Sequence, residues 1–309
     1  MYAIYRKMNT LAIACLLTLA SVSLAEAPGE PAKPFEPVAP EGMQLERNVP
    51  YGTQSRMQRL DILYPASASS PRPAIVHIHG GGWYTGGKEG KSTFGMLERF
   101  AAEGYVAVAI EYRLSDEAVF PAAVEDCKLV IRWLRANAEK YHIDPAHIGV
   151  IGDSAGGHLS AMLAVTRPSD GLDGTGGHAD QSSAVQAAVP VCPPCDLRIR
   201  IAARGEDTID PLVARFLGPE AMAKPDPARA VSPIVYVHKD AAPMFLIHGT
   251  DDKRVMPVQS QMMLDAMKQA GAPCELALVE GGNHGMAIAR TDDMMSRIVA
   301  FFNAHLKSK

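Results

Sequence analysis

The chain has 309 residues, 47% of them hydrophobic and 21% charged, with a formal net charge of −4. That is a globular composition with enough length for one large domain. No basic cluster stands out, so nucleic acid is not an expected partner.

The N-terminal residues carry Arg6 and Lys7, an apolar run follows at Leu11–Leu19, and Ser23-Leu24-Ala25 offers small residues where a signal peptidase reads. These are the marks of a secretory signal, residues 1–25, too short for a membrane span. The expected mature protein is exported, periplasmic or extracellular, and nothing later in the chain reads as transmembrane. Prolines then recur every third residue, at Pro28, Pro31, Pro34, Pro37 and Pro40. Three residues per turn is the polyproline II period, so residues 26–42 read as a spacer and residues 43–309 as the folded domain.

Within the domain, alternating stretches at Gln44–Val49 and Arg56–Leu63 predict an antiparallel hairpin at a sheet edge. Beyond a turn-rich connector, buried-type strands alternate with helices. The predicted order is strand Ala74–His79, a helix near Phe94–Glu103, strand Tyr105–Ile110 and a long helix Ala122–Tyr141. Then come an apolar strand at Ile148–Ile151, strands Val185–Val191, Met244–His248 and Glu275–Val279, and helices Pro257–Ala270 and Asp292–Leu306. Such alternation predicts an α/β fold with a mostly parallel, twisted sheet covered on both faces. Pro168–Ser183 reads as a glycine-rich surface loop and Asp196–Ala230 as an irregular, partly helical insertion.

In sheets of this kind the chemistry lies beyond the carboxyl ends of the strands. The strand Ile148–Ile151 runs into Gly152-Asp153-Ser154-Ala155-Gly156 and then into helical sequence. G-x-S-x-G between strand and helix is a nucleophile elbow, which makes Ser154 the expected nucleophile. The strand Ala74–His79 ends in His79-Gly80-Gly81-Gly82-Trp83, whose glycines bare the backbone. Acyl transfer needs such N–H groups to meet the charge that develops on the substrate oxygen. Gly81, Gly82 and Ala155 are the expected oxyanion donors, with His79 a structural residue beneath the loop. His248-Gly249-Thr250-Asp251-Asp252 follows the next strand but one, about 100 residues after the serine, where the orienting acid of a triad belongs. The last strand leads into Gly281-Gly282-Asn283-His284-Gly285, and His284 is the expected base. Neighbouring aspartates in an extended loop point apart, so one of them reaches the base.

These motifs give the chain a clear resemblance. It is similar to the α/β-hydrolases of the esterase branch that carry HGGG before the elbow, and most of all to the bacterial acetylxylan and feruloyl esterase-like (BD-FAE-type) group. The likeness runs from about Tyr51 to the C-terminus. It includes Glu111-Tyr112-Arg113-Leu114-Ser115, Phe120–Cys127 and Ala230-Val231-Ser232-Pro233-Ile234. The resemblance implies the α/β-hydrolase fold and ester hydrolysis by a Ser-His-Asp acyl-enzyme route. It also places the acid at Asp252, since relatives carry His-Gly, two residues, Asp, then valine three further on. Asp251 is then expected to accept backbone N–H bonds in the turn, and Arg113 with Asp126 to form a structural ion pair.

No cofactor or metal is called for, and the expected partner is a small-molecule or polysaccharide ester. A general short-chain carboxylesterase, an arylformamidase and a peptidase-like hydrolase share parts of the pattern. A binding protein on a hydrolase scaffold is disfavoured by the complete Ser…Asp…His series. Where relatives carry Gly-Pro-Thr-Asp-Leu, this chain has Cys192-Pro193-Pro194-Cys195-Asp196-Leu197, and C-x-x-C in an oxidising compartment admits a local disulfide.

Overall fold

The computed structural model describes residues 35–198 and 210–307. The expected signal segment lies outside the described residues, as does most of the expected spacer, of which residues 35–42 form an irregular approach to the first strand.

One eight-stranded sheet organises the domain, in the order β1-β2-β4-β3-β5-β6-β7-β8. Its first two strands, β1 (Met43–Pro50) and β2 (Arg59–Pro65), pair antiparallel, and β2 also pairs antiparallel with β4 (Val106–Ile110). From β4 onward all pairings are parallel: β3 (Arg72–Ile78), β5 (Ile143–Asp153), β6 (Ala187–Val191), β7 (Met244–Gly249) and β8 (Cys274–Val279). All five residues of β4 and of β6 are buried. Strands covered on both faces have no polar side, which is why they read as unbroken apolar runs.

Alternate residues of these strands feed two cores. Ile75, Ala107, Ile151, Val189 and Ile247 pack against α1 (Lys91–Ala102) and the closing helix α6 (Asp292–Leu306), whose Phe100, Ile298 and Phe302 are buried. Val76, Val108, Val150, Ala188 and Leu246 face the other way. They meet α2 (Ala122–Ala136), α3 (Ala155–Val165) and α5 (Val258–Ala270). Each such Val, Leu, Ile or Phe contributes roughly 1.5–3 kcal/mol through burial. Helix α3 is buried along all eleven residues, as befits a helix directly behind the sheet centre.

Two boundaries differ from the sequence expectation. Helix α2 ends at Ala136, short of Tyr141. The Asn137 side chain bonds the Trp133 carbonyl at 2.8 Å, and Tyr141 turns back into the core against Trp133. Past His142, in the left-handed region at φ +56°, the chain enters β5 earlier than its apolar run indicates. Strand β2 begins at Arg59, because Gln58 is drawn into the interior, where its amide donates to Asp126 at 2.7 Å.

Among the described residues of the insertion stands the helix α4 (Pro211–Met222), started by proline at its first position and by Asp210 accepting from Leu212 N. Phe216 of this helix stacks on Trp83 with centroids 4.6 Å apart, which lays α4 over the carboxyl edge of the sheet.

Candidate active site

The turn after β5 is tight enough to dictate its residues. Ser154 sits at φ +53°, ψ −115°, a conformation that costs a side-chain-bearing residue about 1–3 kcal/mol. A Cβ on Gly156 would lie 2.0 Å from the Ile78 carbonyl oxygen, and one on Gly152 2.5 Å from the same atom. Only glycine lets β3 cross so close beneath the serine. The Ser154 amide is held by the Val191 carbonyl at 2.9 Å, so β6 supports the turn from its other side.

The loops after β7 and β8 interlock in the same way. The Asp251 amide donates to the Gly282 carbonyl, and a Cβ on Gly249 would stand 2.1 Å from that oxygen. This backbone contact sets the distance between the two loops. His284 Nδ1 lies 2.6 Å from Asp252 Oδ2, and His284 Nε2 lies 2.8 Å from Ser154 Oγ. Asp252 Oδ1 accepts from the amides of Arg254 (2.8 Å) and Val255 (2.9 Å). Burial pulls the Asp252 carboxyl upward, but bonds from His248, His284 and the Val255 amide overcome it and hold the group well below the usual carboxylate range. An ionised carboxylate at Nδ1 fixes the proton there and leaves Nε2 free to accept the Ser154 hydroxyl proton.

Asp251 is a correction to the sequence reading. Its side chain is exposed and, among the described residues, meets only the Thr250 hydroxyl, at 3.5 Å. The turn amides expected at Asp251 go to Asp252 instead, whose two oxygens divide between turn and histidine.

Gly81, Gly82 and Ala155 line one cavity with Ser154 and His284, about 400 Å³ in volume. Among the described residues, none of the backbone bonds of the turns and loops uses the N–H of these three residues. Gly81 is at φ +112°, and a Cβ there would stand 2.0 Å from the Thr85 carbonyl oxygen. The loop is pinned from below. Trp83 Nε1 donates to His158 Nδ1 at 3.1 Å, and the Trp83 carbonyl accepts from both the amide and the hydroxyl of Ser115. His79 stacks on Tyr112, bonds the Gly80 carbonyl at 2.7 Å and stands 3.4 Å from Glu111. Beside the nucleophile, burial raises the Asp153 carboxyl, against the pull of His284, Arg290 and His79. Tyr84, Pro194, Leu212 and Arg254 complete the cavity wall.

Arg113 and Asp126 meet at 2.7–3.0 Å with Asp126 fully buried, away from the cavity lining. The cysteines Cys127, Cys192, Cys195 and Cys274 are all free, so the local disulfide is not formed. Cys192, at φ +48°, instead joins His248 and Asp252 in a buried group whose ligand atoms lie within 4.8 Å of one another. That is a donor set of the kind zinc uses. Here, however, the acid's Oδ2 is engaged by His284 and the ring nitrogens of His248 by Val255 and Ser260. His248 escaped the sequence reading as a site residue, although it opens the motif that gave the acid its register. Arg254 and Leu212 escaped it too, and no spacing in the sequence marks them.

Fold and site together define an α/β-hydrolase of the esterase branch. A family model described as BD-FAE matches residues 60–267, and the chain belongs to that family. Esterase LipQ of Mycobacterium tuberculosis (strain ATCC 25618 / H37Rv) is 32% identical over 257 residues, covering 82% of this chain and 59% of that protein. The chain thus spans less than two thirds of the length of the curated relatives it matches. Among solved structures, a truncated form of a carbohydrate esterase from gut microbiota superposes with a TM-score of 0.77 at 29% identity, covering 86% of this chain and 97% of the other. Esterase 2 of Thermogutta terrifontis with propionate bound gives 0.68 at 29% identity, covering 87% and 97%. The same esterase phosphorylated by paraoxon gives 0.67 at 28%, with the same coverage.

Proposed function

We propose that this protein is an exported serine esterase that removes short or compact acyl groups, acetyl or feruloyl, from plant-type carbohydrate. The observation that carries the reading is the unbroken line Ser154 Oγ–His284–Asp252, at 2.8 and 2.6 Å, opening into a cavity walled by the glycine loop.

The chemistry follows from that line. His284 Nε2 takes the Ser154 proton as Oγ bonds to the ester carbonyl carbon, and the carbonyl electrons move onto oxygen. The N–H groups of Gly81, Gly82 and Ala155 meet that charge in a site already organised for it. The tetrahedral adduct collapses, His284 returns the proton to the departing alcohol, and an acyl-serine remains. Water, deprotonated by the same nitrogen, then releases the acid and restores the hydroxyl. Asp252 keeps its charge throughout and holds the imidazolium in place. The cavity volume and the Leu212 side chain at its wall suit a small acyl group better than a long chain. A carbohydrate esterase among the solved relatives supports the alcohol class. The apolar N-terminal run, with small residues before Glu26, supports export, with residues 26–42 a spacer and residues 43–309 the catalytic domain. No helix among the described residues is long and apolar enough to cross a membrane.

A rate panel tests the reading: nitrophenyl esters of increasing chain length, acetylated xylan, methyl ferulate and formylkynurenine. Highest kcat/KM on acetylated xylan or methyl ferulate is expected. Preference for formylkynurenine, or for nitrophenyl esters with no turnover of either acetylated xylan or methyl ferulate, overturns the substrate class. N-terminal sequencing of exported protein is expected to begin at Glu26.

A further inference from the structure

A second histidine stands behind the acid. His248 is fully buried at the end of β7. Its Nε2 is 2.8 Å from the Val255 carbonyl oxygen and 3.2 Å from Asp252 Oδ2, and its Nδ1 is 2.7 Å from Ser260 Oγ. A carbonyl and an ionised carboxylate only accept, so Nε2 carries a hydrogen that faces both, and the Ser260 hydroxyl donates to Nδ1. Both ends of the ring are thereby held. The ring also closes residues 252–255 into a compact unit, since Val255 gives its N–H to Asp252 Oδ1 and its carbonyl to His248.

The support reaches further, to the first turn of α5. Ser260 is buried there, next to buried Gln259. The Gln259 amide oxygen accepts from Cys195 N (2.8 Å) and Asp196 N (2.7 Å), and its nitrogen donates to the Asp196 carbonyl (2.9 Å). Two adjacent buried polar side chains thus tie the acid loop and the cavity-wall segment to one helix start. Buried polar groups are costly unless partnered, and each side-chain oxygen and nitrogen of this pair has a partner.

We propose that His248, braced by Ser260, is a positioning residue for the ester hydrolysis: it holds Asp252 Oδ2 on the line to His284 Nδ1. The inference rests on the assignment of Asp252 as the triad acid. Backbone amides fix Oδ1, but a carboxylate held at one oxygen can still turn about its last bond. The His248 N–H removes that freedom. It also draws charge from Oδ2, so the proton stays on His284 rather than passing to the acid. Misplacement of a reacting group by an ångström costs on the order of 100-fold in rate.

The test compares H248L, H248Q, S260A, H248L/S260A and D252N in the full-length protein. Active sites are counted by the burst of a fluorophosphonate, so that kcat refers to folded enzyme only. H248L is expected to lose about 10- to 100-fold in kcat with KM within threefold. In H248Q the terminal amide can present an N–H where Nε2 stood, and most of the loss is expected to be recovered. S260A is expected to lose severalfold, and H248L/S260A no more than H248L, because the serine acts through the ring. Three results overturn the proposal: kcat per site unchanged in H248L, no recovery in H248Q, or losses that multiply in the double variant. If H248L does not accumulate, an unchanged kcat per site in S260A overturns it equally. D252N separates the two readings. Retained turnover there removes the acid assignment and the inference with it. A large loss there beside an unchanged H248L removes the inference alone.

Discussion

Asp251 and Asp252 are chemically identical neighbours, and the fold gives them opposite fates. Asp252 has no exposed side-chain surface and five polar partners: two turn amides, His284, His248 and the nearby Cys192 thiol. Asp251 is exposed beside Thr250. Asparagine at 252 keeps the shape but stabilises the wrong imidazole tautomer, a change that costs about 10⁴ in kcat in the well-studied serine-protease case. D252N is therefore expected to lose several orders of magnitude and D251N about tenfold or less, each counted per folded molecule. Steady-state kinetics with active-site titration decide it, and reversal of the two effects moves the acid to Asp251. That Ser154, Asp252 and His284 would meet was legible in the sequence because each follows a strand within a glycine-marked motif. His248 was not, because its meaning depends on Ser260 and Asp252 arriving around it in three dimensions.

At the scale of elements, the strand–helix alternation was readable because buried parallel strands leave unbroken apolar runs. Element ends were less so. The α2 pattern continues past Ala136 in sequence, yet Tyr141 is needed in the core against Tyr64 and Trp133, and the chain leaves the helix to put it there. Helix α4 was visible only as an irregular insertion, and its role follows from packing. Phe216 stacks on Trp83 of the glycine loop while Leu212 stands at the cavity wall, its Cδ1 3.1 Å from where a Cβ on Gly82 would be. The helix therefore braces the loop with one residue and bounds the cavity beside Ser154 with another. L212A is expected to raise kcat/KM on octanoate relative to acetate by about tenfold, the order one or two methylenes are worth in an apolar pocket. An unchanged chain-length profile would place the acyl group elsewhere in the cavity.

For the molecule as a whole, pH acts on stability through buried histidines that stand apart from the one at the nucleophile. H284A is expected to abolish turnover while the fold persists, since its Nε2 is the acceptor beside Ser154 Oγ. Asp252, held well below the usual carboxylate range, stays ionised near neutral pH and keeps the proton on His284 Nδ1. Stability answers to His77 and His158. Both are buried, and desolvation lowers them from 6.5 to about 3 and about 4 respectively. His158 accepts from Trp83 at Nδ1 and gives its Nε2–H to the Val231 carbonyl, so a proton on Nδ1 would break the tie to the glycine loop. Among the described residues, neither ring nitrogen of His77 has a hydrogen-bond partner. Between pH 6.5 and these lowered values the unfolded chain binds protons that the native chain refuses. Unfolding free energy therefore rises with pH across that window. The stability is complete above pH 6.5 and drains as pH falls toward 4, by on the order of 3 kcal/mol for His158. Leucine at 77 removes one of the two titrations together with a polar ring that satisfies nothing. H77L is expected to melt higher than the parent at pH 7, by the roughly 1 kcal/mol or more that an unpaired buried polar group costs. Its Tm should also fall less steeply between pH 6.5 and 4. Parallel Tm curves for parent and variant across that range would show that His77 does not carry the acid sensitivity of the fold.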